Sequence, residues 1–173
     1  MSAKLPKLSI TVFNGTLLDW HRFWSQFSTQ IDERKSISSV TKLPYLREII
    51  SPKSRIIIDG LPFTTEGYAR AKAILCEKYG RDTEVSNAHI QAILSLPTIT
   101  THDRGNPGFA ELSKVHEFYE KLLTNVQTLD TMGKLNEIKG YVRMTLDKLP
   151  DIRSDLVRQR LRAAHNNGKM CLL

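Results

Sequence analysis

The sequence predicts an all-α protein built as two small helical bundles. Aromatic side chains between residues 20 and 27 recur at the spacing i, i+3, i+4, i+7, which places Trp20, Phe23, Trp24 and Phe27 on one face of a helix. Helix stop signals divide the chain into about eight segments of helical length, and no segment alternates long enough for a sustained strand. So bulky a face needs burial, and we expect this helix at the centre of a helical core.

The first bundle is predicted to begin with an extended arm. Residues 8–13 alternate weakly between apolar and polar side chains, which fits an arm or a marginal strand, and Asn14-Gly15 makes the turn. The first helix is expected over about residues 16–33. Its four aromatic residues cannot all be buried, so one should lie at a rim. We expect Trp24→Ala or Phe27→Ala to destabilise the protein by about 3 to 5 kcal/mol.

An interrupted helical stretch is predicted over residues 40–59. Ser38 or Ser39 is the expected N-cap, and Pro44 is expected in the first turn, where a missing N–H is tolerated. Ser51-Pro52 then restarts a helix that continues through three isoleucines.

The first bundle is expected to end at Gly80, the stop signal of a helix that Thr64 or Thr65 caps. We predict a hinge at Gly80, Arg81 and Asp82, because Thr83 is the expected cap of the next helix. The chain is therefore predicted to split into its two bundles near Gly80.

The second bundle should contain four helices. The first carries His89 on its inward face, and Tyr119 belongs to the inward face of the second. The expected helices cover residues 83–96, 109–128, 135–148 and 151–164.

Composition indicates a globular chain from a reducing compartment. The 173 residues are 40% hydrophobic and 25% charged, with a net charge of +7 that permits contact with nucleic acid or an anionic membrane surface. The two cysteines, Cys76 and Cys171, form neither a disulfide framework nor a metal pair. No apolar run resembles a signal peptide or membrane span, so we expect a cytoplasmic protein.

The chain carries no recognisable catalytic constellation. It lacks a Gly-x-Ser-x-Gly motif and a glycine-rich phosphate loop, and its five histidines never form an i, i+4 metal pair. We therefore expect no enzyme, catalytic residue, metal or cofactor. The last predicted helix carries Arg153, Arg158, Arg160 and Arg162, which form either an RNA-phosphate strip or a solvated helix end.

Short motifs follow one another in order along the chain: Leu5-Pro6-Lys7-Leu8, Phe13-Asn14-Gly15, Trp20 to Phe27, Ser39 to Leu46, Gly60-Leu61-Pro62, Tyr68 to Ala71, Leu75 to Gly80, His89 to Pro97, and Leu146 to Pro150. This order resembles the Gag-type domain of BEL/Pao-like LTR retrotransposon polyproteins over roughly residues 5–160. Residues 98–112 depart from the related retroviral capsids because they lack a clear major homology pattern, and no zinc knuckle follows the second lobe.

The resemblance implies a two-lobe, retroviral-capsid-like subunit, with an N-lobe over about residues 9–80 and a C-lobe over about residues 83–165, that assembles with itself into virus-like particles around RNA. Its location would be the cytoplasm, virus-like particles or released vesicles. The chain would belong to a retrotransposon or be a domesticated Gag. An alternative interpretation is a monomeric module whose aromatic lobe clasps a partner peptide in a helical groove. The residues of that core or groove would be Phe13, Trp20, Phe23, Trp24, Phe27 and Tyr68.

Overall fold

A computed structural model describes residues 10–99 and 109–149, and it confirms the all-α fold. Within those ranges the only β-type pairing is one isolated parallel bridge between Phe13 and Ile50. The α-helices are α1 (Leu17–Phe27), α2 (Ser39–Glu48), α3 (Pro52–Arg55), α4 (Thr65–Tyr79), α5 (Asp82–Leu94), α6 (Phe109–Thr131), α7 (Leu135–Ile138) and α8 (Val142–Leu146). A π-helical turn, Ser28–Asp32, follows α1, and a 3₁₀ turn, Lys139–Tyr141, links α7 to α8.

The chain divides into two compact units inside α5. Unit 1 is Met1–Ala88 and unit 2 is His89–Leu173. The sequence placed the joint a few residues earlier, at Gly80 to Asp82, and that hinge stays a prediction. Asp82 is the first residue of α5.

Local capping patterns were predicted correctly at two helices. The Ser38 hydroxyl accepts a hydrogen bond from the Thr41 N–H at 3.3 Å, and Thr64 accepts one from the Gly67 N–H at 3.0 Å. The predicted Thr83 cap is wrong. Thr83 lies inside α5, because the helix begins one residue before it.

Three other details differ from the sequence-based expectation. Pro44 is the sixth residue of α2 and therefore lies beyond the first turn. The helix after Pro52 ends at Arg55, and the isoleucines that follow, which favour β structure, lie in turns. The single helix expected over 135–148 is broken by the 3₁₀ turn that contains Gly140, a poor helix former.

Unit 1 buries the predicted stripe of α4, which consists of Tyr68, Ala71, Leu75 and Tyr79. The residues of this stripe are at most 8% exposed. Helix α2 packs against α4, and its Leu43 and Leu46 are fully buried.

The described residues of unit 2 form two apolar clusters, and α6 links them because it supplies residues to both. Leu129 of α6 packs with Ile90 and Ile93 of α5 in one cluster, and Phe118 of α6 packs with Leu96 and Ile99 in the other. The expectation that Tyr119 faces inward is wrong, since it is 56% exposed. A single residue step turns an α-helix by about 100°, which carries Tyr119 away from the buried side of Phe118.

None of the helices within 10–99 and 109–149 is long and apolar enough to cross a membrane. The last predicted helix, with its four arginines, lies outside the described residues.

The first turns of α5 belong to unit 1, and this placement can be tested with fragments. Val85 is 1% exposed, and burial of a valine side chain contributes about 1.5 to 3 kcal/mol. We expect a fragment of residues 10–88 to unfold cooperatively and to be more stable than one of residues 10–81 by roughly that amount. Urea titration followed by circular dichroism measures this difference. The 10–88 fragment with Val85→Ala should fall in between, whereas equal stability of the two lengths would favour a boundary at Gly80 to Asp82.

Candidate functional site

Phe13 joins the described part of the arm, which precedes α1 and begins at residue 10, to the start of α3. Its N–H donates to the Ile49 carbonyl oxygen at 2.8 Å, and its own carbonyl accepts from the Ser51 N–H at 2.8 Å. These two bonds form the bridge to Ile50 and satisfy the backbone of a residue that no helix contains. The Phe13 side chain is 1% exposed, so the arm ends inside unit 1.

The Phe13 ring is the centre of an aromatic cluster. It stacks on Phe23 with ring centroids 4.8 Å apart. It also meets the edges of Trp20 at 5.4 Å and Tyr79 at 5.0 Å. Offset and edge-to-face pairs of this kind stabilise a core beyond the burial of apolar area. The cluster therefore joins the arm, α1 and the end of α4.

The aromatic face of α1 is graded from buried to half-buried. Phe27 is 0% exposed, Phe23 2% and Trp20 5%. Trp24 is half-buried and stacks on Trp20 with centroids 4.8 Å apart. Trp24 is thus the rim residue that the sequence required but could not identify.

Position 80 requires glycine because a side chain would not fit there, and not because of its backbone conformation. Its φ of −100° is accessible to any residue. A Cβ atom there would lie 3.0 Å from Nε1 of Trp20 and 2.8 Å from the Cys76 carbonyl oxygen. The end of α4 therefore packs directly against the aromatic cluster. The other predicted hinge residue, Arg81, pairs with Glu84 at 3.0 Å.

The opposite end of α1 is held by a polar cluster around Asp32, the last residue of the π-helical turn. The Asp32 carboxylate accepts from the Tyr68 hydroxyl at 2.6 Å and from Lys72 Nζ at 2.9 and 3.0 Å. The Asp32 backbone carbonyl accepts from Lys42 Nζ at 2.6 Å. Because Lys42 lies on α2 and the other two donors lie on α4, one residue connects three elements.

The environment of Asp32 favours its ionised form. Burial alone would raise the pKa of its carboxyl group, but the hydrogen bonds from Tyr68 and Lys72 and the charges of Lys72 and Lys42 outweigh burial. The pKa consequently lies below its ordinary value of 3.8. Burial, together with the hydrogen bond to Asp32 and its negative charge, raises the pKa of Tyr68. Tyr68 therefore remains a neutral donor. Nearby, burial raises the pKa of the Cys76 thiol, which favours its protonated form.

A second polar cluster lies on the surface of unit 1. Arg47 Nη2 and Arg55 Nε approach the same carboxylate oxygen of Asp59 at 2.8 and 3.1 Å. The Arg47 guanidinium also lies over the Phe63 ring, 5.1 Å from its centroid. Arg55 donates to the Arg47 carbonyl oxygen at 3.4 Å. We call these four residues the Phe63 platform.

His89 of unit 2 is buried, as the sequence predicted. His89 is 2% exposed, and its Nδ1 lies 2.8 Å from Oδ1 of Asn125. The Asn125 amide donates to the Lys121 carbonyl oxygen, so its oxygen is the acceptor and His89 Nδ1 carries the proton. No group of three or more His, Cys, Asp or Glu side chains in the described part of the chain could hold a metal ion.

The structure brings together most of the predicted core or groove residues. Phe13, Trp20, Phe23 and Phe27 are interior, whereas Tyr68 belongs to the Asp32 cluster. Trp24 is the member of this set with appreciable exposed surface. The groove interpretation stays a prediction. Sequence reasoning missed the Asp32 cluster and the Phe63 platform, because their members are scattered over 40 and 16 positions respectively and have no short-range pattern.

The graded burial of α1 predicts unequal effects of its aromatic residues. Phe27→Ala should destabilise unit 1 by about 3 to 5 kcal/mol, the usual loss for a buried aromatic side chain. Trp24→Ala should cost clearly less than the equal loss expected from the sequence, because part of its ring already contacts water. Leu18→Ala, an exposed position of the same helix, is the control and should change the free energy of unfolding by about 0.5 kcal/mol or less. Denaturant titration measures the order, and a larger loss at Trp24 than at Phe27 would contradict it.

The Asp32 cluster predicts a pH-dependent contribution to stability. Asp32→Asn should destabilise the protein by about 1.5 to 3 kcal/mol at neutral pH, since a charge-assisted hydrogen-bond set is lost. Because the folded-state pKa is lowered, this stabilisation is present above pH 3.8 and disappears as the pH falls through the folded-state pKa. Urea titrations from pH 3 to 7 measure the difference. The control is Asp19→Asn, which removes an exposed pair with Arg22 and should cost less than about 1 kcal/mol. A constant difference across that range would contradict the assignment.

Comparison with known proteins provides a family. A model described as a protein of unknown function (DUF1759) matches residues 13–165. Comparisons with curated proteins and with solved structures give no match. The matched segment begins at the buried Phe13 and covers most of both units. The chain belongs to the DUF1759 family.

Proposed function

We propose that this chain is a Gag-like structural subunit that assembles with itself into virus-like particles enclosing RNA. Family membership is the observation that carries the proposal, because DUF1759 domains are commonly found in retrotransposon Gag-Pol-like proteins. The BEL/Pao type is the member of that class whose motif order the sequence resembles. Cytoplasmic particles or released vesicles would be its location.

The architecture supports assembly in two ways. Two compact units supply two separate sets of contact surfaces, and many weak contacts gain strength together when subunits are multivalent. Large apolar side chains are exposed on both units. Among the residues that the structure describes, those of unit 1 are Val12, Leu18, Val40, Ile56 and Phe63, and those of unit 2 are Tyr119, Leu123, Leu135, Tyr141, Val142, Met144 and Leu146.

The net charge of +7 supports the RNA part of the proposal, because lysine and arginine side chains that contact phosphates release counterions. Arg153, Arg158, Arg160 and Arg162 are the proposed contacts. Such contacts position RNA without reading its sequence.

Light scattering against protein concentration, followed by negative-stain microscopy, tests the assembly. We expect a concentration-dependent transition from small species to large particles. A chain that stays small at every concentration and salt condition would contradict the proposal and favour the monomeric peptide-binding module, for which Trp24 offers a half-buried contact.

The RNA contribution has a charge-matched control. Reversal of the four arginines to Glu should reduce RNA retention in particles and weaken gel shifts most strongly at low salt. The control reverses exposed cations elsewhere, namely Lys35, Arg70, Lys114 and Lys139, and changes the net charge equally. Equal loss in both variants would indicate a general charge effect, and no loss in either would exclude the phosphate role.

A further inference from the structure

The Phe63 platform presents a flat aromatic surface to solvent. Phe63 follows Pro62 in the loop between α3 and α4, and its side chain is 52% exposed. One face of the ring is covered by the Arg47 guanidinium at 5.1 Å. An exposed phenylalanine held on one face by a cation offers its other face as a stacking surface.

The guanidinium groups of the platform are fixed in place. Arg47 is held by Asp59 and Phe63, and its side chain is 23% exposed. Arg55 is held by Asp59 and by the Arg47 carbonyl oxygen, and its side chain is 34% exposed. Side chains that are already ordered lose less conformational entropy on binding than mobile ones.

The platform also has an uncompensated positive charge. Two guanidinium groups share the single carboxylate of Asp59, which leaves a net charge of +1 among these groups. Since the cluster is half-buried, its field is screened less than that of fully exposed lysines. An anion next to the ring would be attracted.

We propose that the Phe63 platform binds single-stranded RNA, with an unpaired base stacked on the open face of Phe63 and the adjoining phosphate near Arg47 and Arg55. Single-stranded nucleic acid is bound by this combination of aromatic and cationic groups, and stacking tolerates any base because every base has a π-face. An apolar side chain of a peptide would instead need a concave pocket. The Phe63 ring is more than half exposed and therefore offers a flat surface and not a pocket. The site extends the RNA part of the proposed function to a second surface and does not require assembly.

The test measures fluorescence anisotropy of labelled oligouridylate and oligoadenylate with the full chain, at concentrations where light scattering shows no assembly. Phe63→Ala and Phe63→Leu should each weaken binding roughly 5- to 150-fold, the loss expected for one stacked base. Phe63→Trp should bind as well as the parent chain or better. The control is Ile56→Ala, since Ile56 is 69% exposed but has no π-face, and it should change the affinity by less than about twofold.

Repeating the series in the chain with the four arginines reversed to Glu separates this surface from the last helix. An abasic strand of equal length provides a second control, and Phe63→Ala should leave its weak binding unchanged. Equal RNA affinity of Phe63→Ala and Ile56→Ala would overturn the proposal. Full RNA affinity of Phe63→Leu would also overturn it, because that result would indicate an apolar contact and not stacking. A third contradicting result is an acidic phenylalanine peptide that binds in a Phe63-dependent way while RNA binding does not depend on Phe63. Since anisotropy is read on unassembled protein, failure here leaves the assembly result unaffected.

Discussion

Burial of Phe13 is the constraint on which unit 1 depends. Phe13 lies in the arm before α1, yet its ring is almost completely buried and contacts Trp20, Phe23 and Tyr79. Its backbone simultaneously pairs with the segment around Ile50. One residue outside the helices thus aligns the arm, α1, the start of α3 and the end of α4. The close approach of Gly80 to Trp20 follows, because α4 must end against the same cluster.

Different interactions fix α1 and the π-helical turn that follows it. Apolar burial and ring stacking act on α1, whereas hydrogen bonds to an ionised carboxylate act on the π-helical turn that follows it. A π-helical turn shifts the residues after it relative to an α-helix, and here it ends at Asp32, within reach of α2 and α4. Apolar packing alone would allow α1 to shift slightly along its axis relative to α2 and α4. The directional bonds of Asp32 to Tyr68, Lys72 and Lys42 remove that freedom.

Local patterns account for the parts of the structure that could be predicted. The helical class, the caps at Ser38 and Thr64 and the buried stripe of α4 each depend on residues within a few positions of one another. The Asp32 cluster and the Phe63 platform depend on chain segments brought together by the fold, and neither Lys72 nor Phe63 has a local signal. The sequence also could not identify the rim residue. Helical spacing places Trp24 and Phe27 on the same face, and only the packing of the neighbouring elements determines which of the two is fully buried. The sequence-based site residues Arg153, Arg158, Arg160 and Arg162 lie outside the described residues.

The proposed assembly through many weak contacts would need a rigid body behind each surface, and we expect the packing around Phe13 to provide that rigidity in unit 1. Hydrogen–deuterium exchange of a Phe13→Ala chain tests this claim most directly. The Ser51 amide and the backbone amides of α1 and α4 should lose protection, whereas those of α6 in unit 2 serve as an internal reference and should keep theirs. Unchanged protection in α1 and α4, or an equal loss in α6, would contradict the central role of Phe13.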